Sequence, residues 1–255
     1  MPDKLCKLHK VENGIATLTI SGSSGVSARP LLESIERHLT SLAGNADVKG
    51  IIVTGDGESF CRFSPTTTLA HYEASALSYF GQQVMFAIER IGKPSIAALS
   101  SECSGLGLEL ALACDFIVSS QSASFGLPDI QNGFIPFCGG SQRLARLVGK
   151  SKAKELIYSG ELIDAAEALR IKLVNRLYSD AQLFPETREL MSHICTRSPN
   201  AIRVGGEVVN AGYDIDLRTA CMLERDAFAL CFSGFDQREG MQAFLDKRQP
   251  HFKGE

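Results

Sequence analysis

The chain has 255 residues, of which 44% are hydrophobic and 22% are charged, and its formal net charge at pH 7 is −3. This is the composition of an ordinary globular protein, so it excludes a disordered chain, a collagen-like repeat and a coiled coil. Two classes of partner are also disfavoured. No block of Lys and Arg is present for nucleic acid, and no run of about 18 apolar residues is long enough to cross a membrane.

Strand and helix patterns alternate along the first two thirds of the chain. Short apolar or alternating runs are followed by segments with apolar residues at helical spacing. The predicted strands are residues 14–20, 49–55, 95–99 and 116–119, and the predicted helices between them are residues 30–42, 79–91 and 106–113. Strands that alternate with helices predict an α/β fold whose strands are buried on both faces.

Only helical patterns follow residue 177. Four helices are predicted there, at residues 185–195, 201–211, 217–232 and 236–247. We therefore predict two regions. An α/β body spans residues 1–195, and a C-terminal helical region, which is a subdomain or an assembly element, spans residues 196–255.

The N-terminus and the cysteines predict a reduced, cytoplasmic protein. Residues 1–14 are charged and lack the apolar stretch of a secretion signal. The eight cysteines form no CxxC pair, and most lie in apolar runs, where a reduced cysteine behaves as a small hydrophobe. No structural metal site is predicted.

The segment with the most candidate functional groups is a glycine turn. The strand at residues 95–99 runs into SSECSGLGLELALACD at residues 100–115, where a helix begins. Glycines allow a close backbone approach, and the first N–H groups of a helix are free to bind an anion. The turn therefore predicts an oxyanion site, in which preorganised N–H donors stabilise a negatively charged oxygen.

Three other interpretations of this turn have weaker support. Gly105 and Gly107 match part of a dinucleotide fingerprint with Asp129 as a ribose ligand, but the third glycine position is occupied by Leu110. A catalytic serine elbow is disfavoured, because Ser104 lacks the flanking glycine pattern. Tight packing alone is the third interpretation.

Glu109 and Asp129 are the candidate acid and base. Glu109 lies in the first turn of the predicted helix, and the chain then returns in the strand at residues 116–119. Asp129 is therefore predicted to come back beside Glu109, within the apolar segment FGLPDIQNGFIPFCGG. Burial raises carboxyl pKa values towards the range suited to proton transfer. Taken alone, a glutamate at a helix start is more commonly a solvated residue that the helix dipole favours.

Three segments together resemble the crotonase superfamily, also called the enoyl-CoA hydratase/isomerase family. Residues 93–178, which begin KPSIAALSSECSGLGLELALACDFIVSS, are similar to its core signature throughout. GIIVTGDGESFCRFS at residues 50–64 is similar to its first oxyanion segment, and FDQREGMQAFLDKRQPHFKG at residues 235–254 to its C-terminal signature. The resemblance thus covers nearly the whole chain.

The resemblance implies a ClpP/crotonase-like fold of repeated ββα units with a C-terminal helical trimerisation region, in a homotrimer or homohexamer. It implies an acyl-CoA thioester as substrate, with no separate cofactor and with the thioester carbonyl bound by the backbone N–H groups of Ser64 and Leu106. Hydratases of the family carry their two carboxylates where Glu109 and Asp129 stand, whereas its isomerases typically keep only the second. The presence of both favours hydration of a 2-enoyl-CoA.

The sequence also departs from the family pattern. The first oxyanion segment usually reads F-C-A-G-x-D but here reads FCRFSP at residues 60–65, and Ser100-Ser101 replace an Asn-Gly pair. The N-terminal N-R-P…N-A-L pattern is largely absent. Asp129 stands where hydratases carry Glu, and a misplacement of about 1 Å can cost roughly 10²-fold in rate. An isomerase, a C–C or thioester hydrolase and a weakly catalytic CoA-binding protein are therefore the alternative functions.

Eight further residues complete the predicted substrate site. They are Cys61, Arg62, Phe63, Gly105, Phe134, Pro136, Gly139 and Lys247. Arg62 and Lys247 are candidates for the CoA phosphates, and Phe134 and Pro136 for the wall of the acyl pocket. The alternative interpretation is that Arg62 and Lys247 are solvated surface cations and that Phe134 and Pro136 are ordinary core residues.

Overall fold

The computed structural model describes residues 5–21, 27–57, 60–63 and 68–255. Its strands are β1 (Cys6–Leu8), β2 (Ile15–Ile20), β3 (Gly50–Gly55), β4 (Phe60–Phe63), β5 (Ser95–Leu99), β6 (Glu102–Gly105), β7 (Phe116–Ser120), β8 (Ser124–Gly126), β9 (Ile163–Asp164) and β10 (Arg176–Tyr178). Its helices are α1 (Ala28–Ala43), α2 (His71–Glu89), α3 (Leu106–Ala111), α4 (Gly140–Val148), α5 (Lys150–Ser159), α6 (Ala165–Arg170), α7 (Leu183–Cys195), α8 (Pro199–Gly212), α9 (Leu217–Cys231) and α10 (Phe235–Asp246), with a 3-10 turn at Pro128–Asn132.

The strands form two sheets that are built from repeated strand–strand–helix units. One sheet has the order β1-β2-β3-β5-β7-β10 and is parallel except for β1, and the other has the order β4-β6-β8-β9 and is parallel except for β9. In the units β3-β4-α2 and β5-β6-α3, the first strand joins the six-stranded sheet and the second joins the four-stranded sheet. Strands β7 and β8 repeat this division, and the 3-10 turn and α4 follow them.

The central strands β3, β5 and β7 are buried along most of their length because both faces of the larger sheet are covered. In β5, Ala97 and Leu99 pack into the main core, whereas Ile96 and Ala98 pack on the opposite face with Leu183 and Met191 of α7. This division follows from the period-2 alternation of a strand. Helix α1 buries Leu31, Leu32, Ile35, Leu39 and Leu42 against the main core, which is the stripe that its 3.6-residue period predicts.

The C-terminal helices differ from the body in their burial. Within the part of the chain that the structure describes, α8 and α9 bury none of their residues, whereas α7 packs on the sheet. Over the described residues, no helix has both the length and the apolar character needed to cross a membrane. The boundary between residues 195 and 196 stays a prediction.

Most predicted elements agree with the observed ones to within a few residues, and two do not. Helix α2 begins at His71 rather than at residue 79, and the N–H of Ala70 donates to Glu73 Oε2 at 2.8 Å at its start. Residues 102–105, which were predicted as part of the glycine turn, instead form strand β6, which pairs with β4 and β8. Both pairings are between distant segments, so local sequence patterns did not reveal them.

Candidate active site

Strand β6 passes into α3 through Gly105, whose backbone adopts φ +55° and ψ −127°. This conformation favours glycine, since other residues rarely adopt a positive φ. Leu106 is then the first residue of the helix and is 1% exposed. Because the first N–H groups of an α-helix have no acceptor inside it, the Leu106 N–H is a buried donor at the start of α3.

The other predicted oxyanion donor, Ser64, lies outside the described residues. The same holds for the side chains of Cys61, Arg62 and Phe63. The backbone of β4 is described, and Phe63 is the register partner of Gly105 in the four-stranded sheet. The residues that precede the two predicted donors are therefore neighbours at the carboxyl ends of parallel strands.

Glu109 lies in the first turn of α3, is 0% exposed and is held by backbone amides. Its Oε1 accepts hydrogen bonds from the N–H groups of Cys138 and Gly140, both at 2.7 Å, and its Oε2 accepts a longer one from Phe137 at 3.4 Å. Gly140 is the first residue of α4, so the carboxylate also lies at the positive end of a helix dipole. We call these three N–H groups the amide cradle.

Two glycines make the cradle possible. A Cβ on Gly140 would lie 2.7 Å from Glu109 Cγ and 2.9 Å from its Oε1, so only glycine leaves room for the carboxylate. Gly139, which was predicted as a substrate contact, has φ +99° and directs the chain into α4. Its structural role is therefore to form the turn that brings the Cys138 and Gly140 donors together.

Burial and the amide cradle have opposite effects on the pKa of Glu109. Burial raises the pKa of Glu109 to about 7, the negative charge of Asp129 also raises it, and the amide hydrogen bonds lower it. A carboxyl group with a pKa near neutrality can both accept and return a proton under physiological conditions.

Asp129 lies in the 3-10 turn that follows β8 and is 1% exposed. Neither carboxyl oxygen has a hydrogen-bond partner among the residues that the structure describes. Burial raises the pKa of Asp129 to about 6. A buried carboxyl group without donors favours its neutral form, because nothing compensates the lost hydration of the anion.

The fold thus brings together the two carboxylates that lie 20 positions apart in the sequence, close enough for the charge of one to change the pKa of the other. They lie in different surroundings. Amide donors surround Glu109, whereas Asp129 has none among the described residues. Two titratable groups in contrasting environments are the arrangement from which an acid and a base are made.

The remaining predicted contacts lie in two places. Pro136 is buried and Phe134 is half-buried, and both belong to the segment that joins Asp129 to the amide cradle. Lys247 is exposed at the end of α10, where it adopts a left-handed backbone conformation. The hydrogen bonds from the cradle amides to Glu109 were not predicted, although the Gly139-Gly140 pair at the start of α4 was a local signal for them.

Comparison with known proteins identifies the family. The family model described as enoyl-CoA hydratase/isomerase matches residues 12–255. A crotonyl-CoA hydratase of Syntrophomonas wolfei is 37% identical over 247 residues, which are 94% of this chain and 95% of that protein. A short-chain-enoyl-CoA hydratase of Clostridium acetobutylicum is 34% identical over 244 residues, which are 93% of this chain and 94% of that protein.

Solved structures agree with this assignment. An enoyl-CoA hydratase from Bacillus anthracis matches with a TM-score of 0.91 at 32% identity, covering 98% of this chain and all of that one (100%). An enoyl-CoA hydratase structure from Geobacillus kaustophilus matches with a TM-score of 0.91 at 29% identity, covering 98% of this chain and 97% of that one. The chain therefore belongs to the enoyl-CoA hydratase/isomerase family and has the crotonase fold that its sequence resembles.

Proposed function

We propose that this enoyl-CoA hydratase-like enzyme adds water across the C2–C3 double bond of a 2-enoyl-CoA, with Glu109 as the base and Asp129 as the acid. Glu109 takes a proton from water as the water oxygen bonds to C3, and Asp129 gives its proton to C2. The product is a 3-hydroxyacyl-CoA. The observation that carries this proposal is the pair of buried, electrostatically coupled carboxylates, one bound by amides and the other without a partner among the described residues.

The protonation of the pair is part of the proposal. With pKa values of about 7 for Glu109 and about 6 for Asp129, the pair holds roughly one proton between pH 6 and 7. The order of these values by itself favours the proton on Glu109. We place it on Asp129 during turnover, because the addition needs a proton donor for C2 and the amide cradle binds Glu109 as an anion ready to accept a proton from water.

The thioester carbonyl is proposed to bind the N–H groups of Ser64 and Leu106. The pairing of Phe63 with Gly105 and the burial of Leu106 at a helix start support this arrangement. An oxygen that gains negative charge during addition is stabilised by roughly 3–4 kcal/mol per such donor. Since the carboxylates and these donors supply the proton transfers and the polarisation, we propose that no cofactor is needed beyond the CoA of the substrate.

Substrate contacts and assembly belong to the same proposal. Phe134 and Pro136 are proposed to line the acyl pocket, Gly105 and Gly139 to shape it, and Cys61, Arg62, Phe63 and Lys247 to contact the CoA. We also propose a cytoplasmic homotrimer or homohexamer assembled through the C-terminal helices. These helices expose large apolar side chains, among them Val209, Leu217, Phe228, Leu230 and Phe244, each more than 60% exposed.

The test is hydration of crotonyl-CoA, followed by the loss of the conjugated enoyl-thioester absorbance. We expect turnover by the wild type and a loss of 10²-fold to 10⁴-fold, on the order of a general acid or base contribution, in both Glu109→Gln and Asp129→Asn. The exposed carboxylates Glu161 and Asp47 provide matched controls, and Glu161→Gln and Asp47→Asn should hydrate normally.

Three outcomes would contradict the assignment. A fully active Glu109→Gln variant would remove Glu109 from the role of base. Conversion of a 3-enoyl-CoA to the conjugated isomer, with no hydration, would indicate an isomerase. Calorimetric binding of an acyl-CoA without any turnover would indicate a CoA-binding protein.

A further inference from the structure

One peptide group of the cradle is hydrogen-bonded at both ends. The N–H of Cys138 donates to Glu109 Oε1 at 2.7 Å, and the carbonyl of the same peptide group, Phe137 C=O, accepts from the Ser78 hydroxyl at 2.6 Å. Gln82 supports this contact, because its side-chain amide donates to Ser78 Oγ at 3.1 Å and to Phe137 O at 3.4 Å. A hydrogen bond to the carbonyl polarises a peptide group, so its N–H becomes a stronger donor.

The next peptide group is held by an arginine. The Cys138 carbonyl accepts from Arg143 Nη1 at 3.1 Å, and Arg143 Nε donates to Glu89 Oε1 at 2.6 Å. The guanidinium carbon lies 5.2 Å from the centroid of the Phe86 ring. The side chains of Arg143 and Glu89 are 13% and 29% exposed, so water screens this ion pair less than an exposed one.

Helix α2 contributes to both of these supports, because Ser78 and Gln82 bind the Phe137 carbonyl and Glu89 binds Arg143 of α4. Ser78, Gln82, Phe86 and Glu89 are spaced at intervals of three and four residues, so they lie on one face of the helix. This face meets the chain segment from Phe137 to Arg143. Helix α2, which belongs to the β3-β4-α2 unit, therefore supports the amide N–H groups that donate to Glu109 of α3.

We propose that Ser78 and Arg143 are positioning residues for hydration: through the Phe137 and Cys138 carbonyls they fix the amide donors that bind Glu109. This inference rests on the proposed role of Glu109 as the base. Neither side chain is required to touch the substrate. Their effect is transmitted through two peptide groups to the carboxylate that accepts the proton.

The charges around Glu109 make this proposal testable by pH. The 3-10 turn contributes Asp129, whose charge acts on Glu109 directly. Helix α4 contributes Arg143, which is directed at Glu89 and the Cys138 carbonyl, and β6 contributes Glu102, which accepts from the Ser104 hydroxyl at 2.7 Å. Replacing Ser78 removes no charge, so a shift in the titration of Glu109 in that variant reports the amide hydrogen bonds.

The decisive variant is Ser78→Ala, with Ser75→Ala as its matched control on the same helix, where Ser75 is exposed. A weaker Cys138 donor stabilises the Glu109 anion less, so the pKa of Glu109 rises. We expect kcat for crotonyl-CoA to fall on the order of tenfold at an unchanged KM, and the acidic limb of the pH profile to move to higher pH by about half a unit or more. Ser78→Thr keeps the hydroxyl and should restore both.

Arg143→Met provides a second variant and should shift the acidic limb in the same direction, whereas Arg146→Met, one turn along α4 at an exposed ion pair, should not. Glu109 is also titrated directly by infrared spectroscopy, using the protonated carboxyl band that is absent from Glu109→Gln. If the wild type hydrates crotonyl-CoA but Ser78→Ala and Ser75→Ala titrate alike, the positioning role is wrong and the proposed function stands. If the wild type does not hydrate, the proposed function fails, and an unshifted infrared titration in Ser78→Ala would separately reject the bracing of Glu109.

Discussion

The backbone N–H of Cys138 donates to Glu109 Oε1 at 2.7 Å, although the two residues lie 29 positions apart in the chain. The contact forms because α3 and α4 both begin at glycine turns that the fold places next to each other. It provides a buried carboxylate with backbone donors, and no side-chain cation among the described residues binds that carboxylate directly. The pKa of Glu109 therefore depends on two opposing effects: burial raises it, and amide hydrogen bonds lower it.

The first prediction concerns stability. Because the folded pKa of Glu109, about 7, lies above its ordinary value of 4.5, the wild type loses stability as pH rises through this interval. Glu109→Gln does not ionise, so its free energy of unfolding relative to the wild type should increase between pH 5 and 8, by roughly a few kcal/mol. Thermal unfolding across this range measures the effect. Glu161→Gln should show no such trend, and a pH-independent difference for Glu109→Gln would contradict the shifted pKa.

The second prediction concerns the coupling of the carboxylates. Asp129 raises the pKa of Glu109 through its negative charge, so Asp129→Asn should lower that pKa and move the acidic limb of the residual activity to lower pH. Infrared titration of the Glu109 carboxyl measures the same shift without turnover. An unchanged titration in Asp129→Asn would show that the two groups are not coupled.

The third prediction concerns the room left for Glu109. Gly140→Ala places a Cβ 2.7 Å from Glu109 Cγ, so the carboxylate must move. A displacement of about 1 Å should lower kcat by roughly 10²-fold while the fold persists. Gly44→Ala is the control, because its Cβ would meet no atom closer than 4.0 Å. Equal activity of the two variants would mean that the position of Glu109 is not critical.

The fourth prediction concerns assembly. Leu230 on α9 is 64% exposed, and a charge there should disfavour the proposed contact between C-terminal helices. Leu230→Glu is expected to reduce the molar mass measured by light scattering from that of a trimer or hexamer towards that of a monomer. Tyr158→Glu changes a similarly exposed residue, 68%, on α5 of the body and should leave the mass unchanged. A mass that stays the same in both variants would exclude α9 from the interface.

Local patterns predicted several helices and strands well. The predicted strand at residues 95–99 coincides with β5, and the predicted helix at residues 217–232 coincides with α9 to within one residue. The first is a short apolar run and the second repeats apolar residues at helical spacing. The start of α2 was missed by eight residues, because residues 71–78 are mostly exposed and carry no apolar stripe. Strand β6 was missed because its partners, β4 and β8, are distant in sequence.

The sequence by itself determined the α/β class, the family and the two carboxylates, because these depend on periodicity and on residue types at motif spacings. Only the tertiary structure decided how the carboxylates differ. The Cys138 amide that binds Glu109 lies 29 positions from it, and the Ser78 hydroxyl that supports this amide lies 59 positions from Phe137. Hydrogen bonds and burial act over a few ångströms, so proton affinity is set by neighbours that only folding brings together.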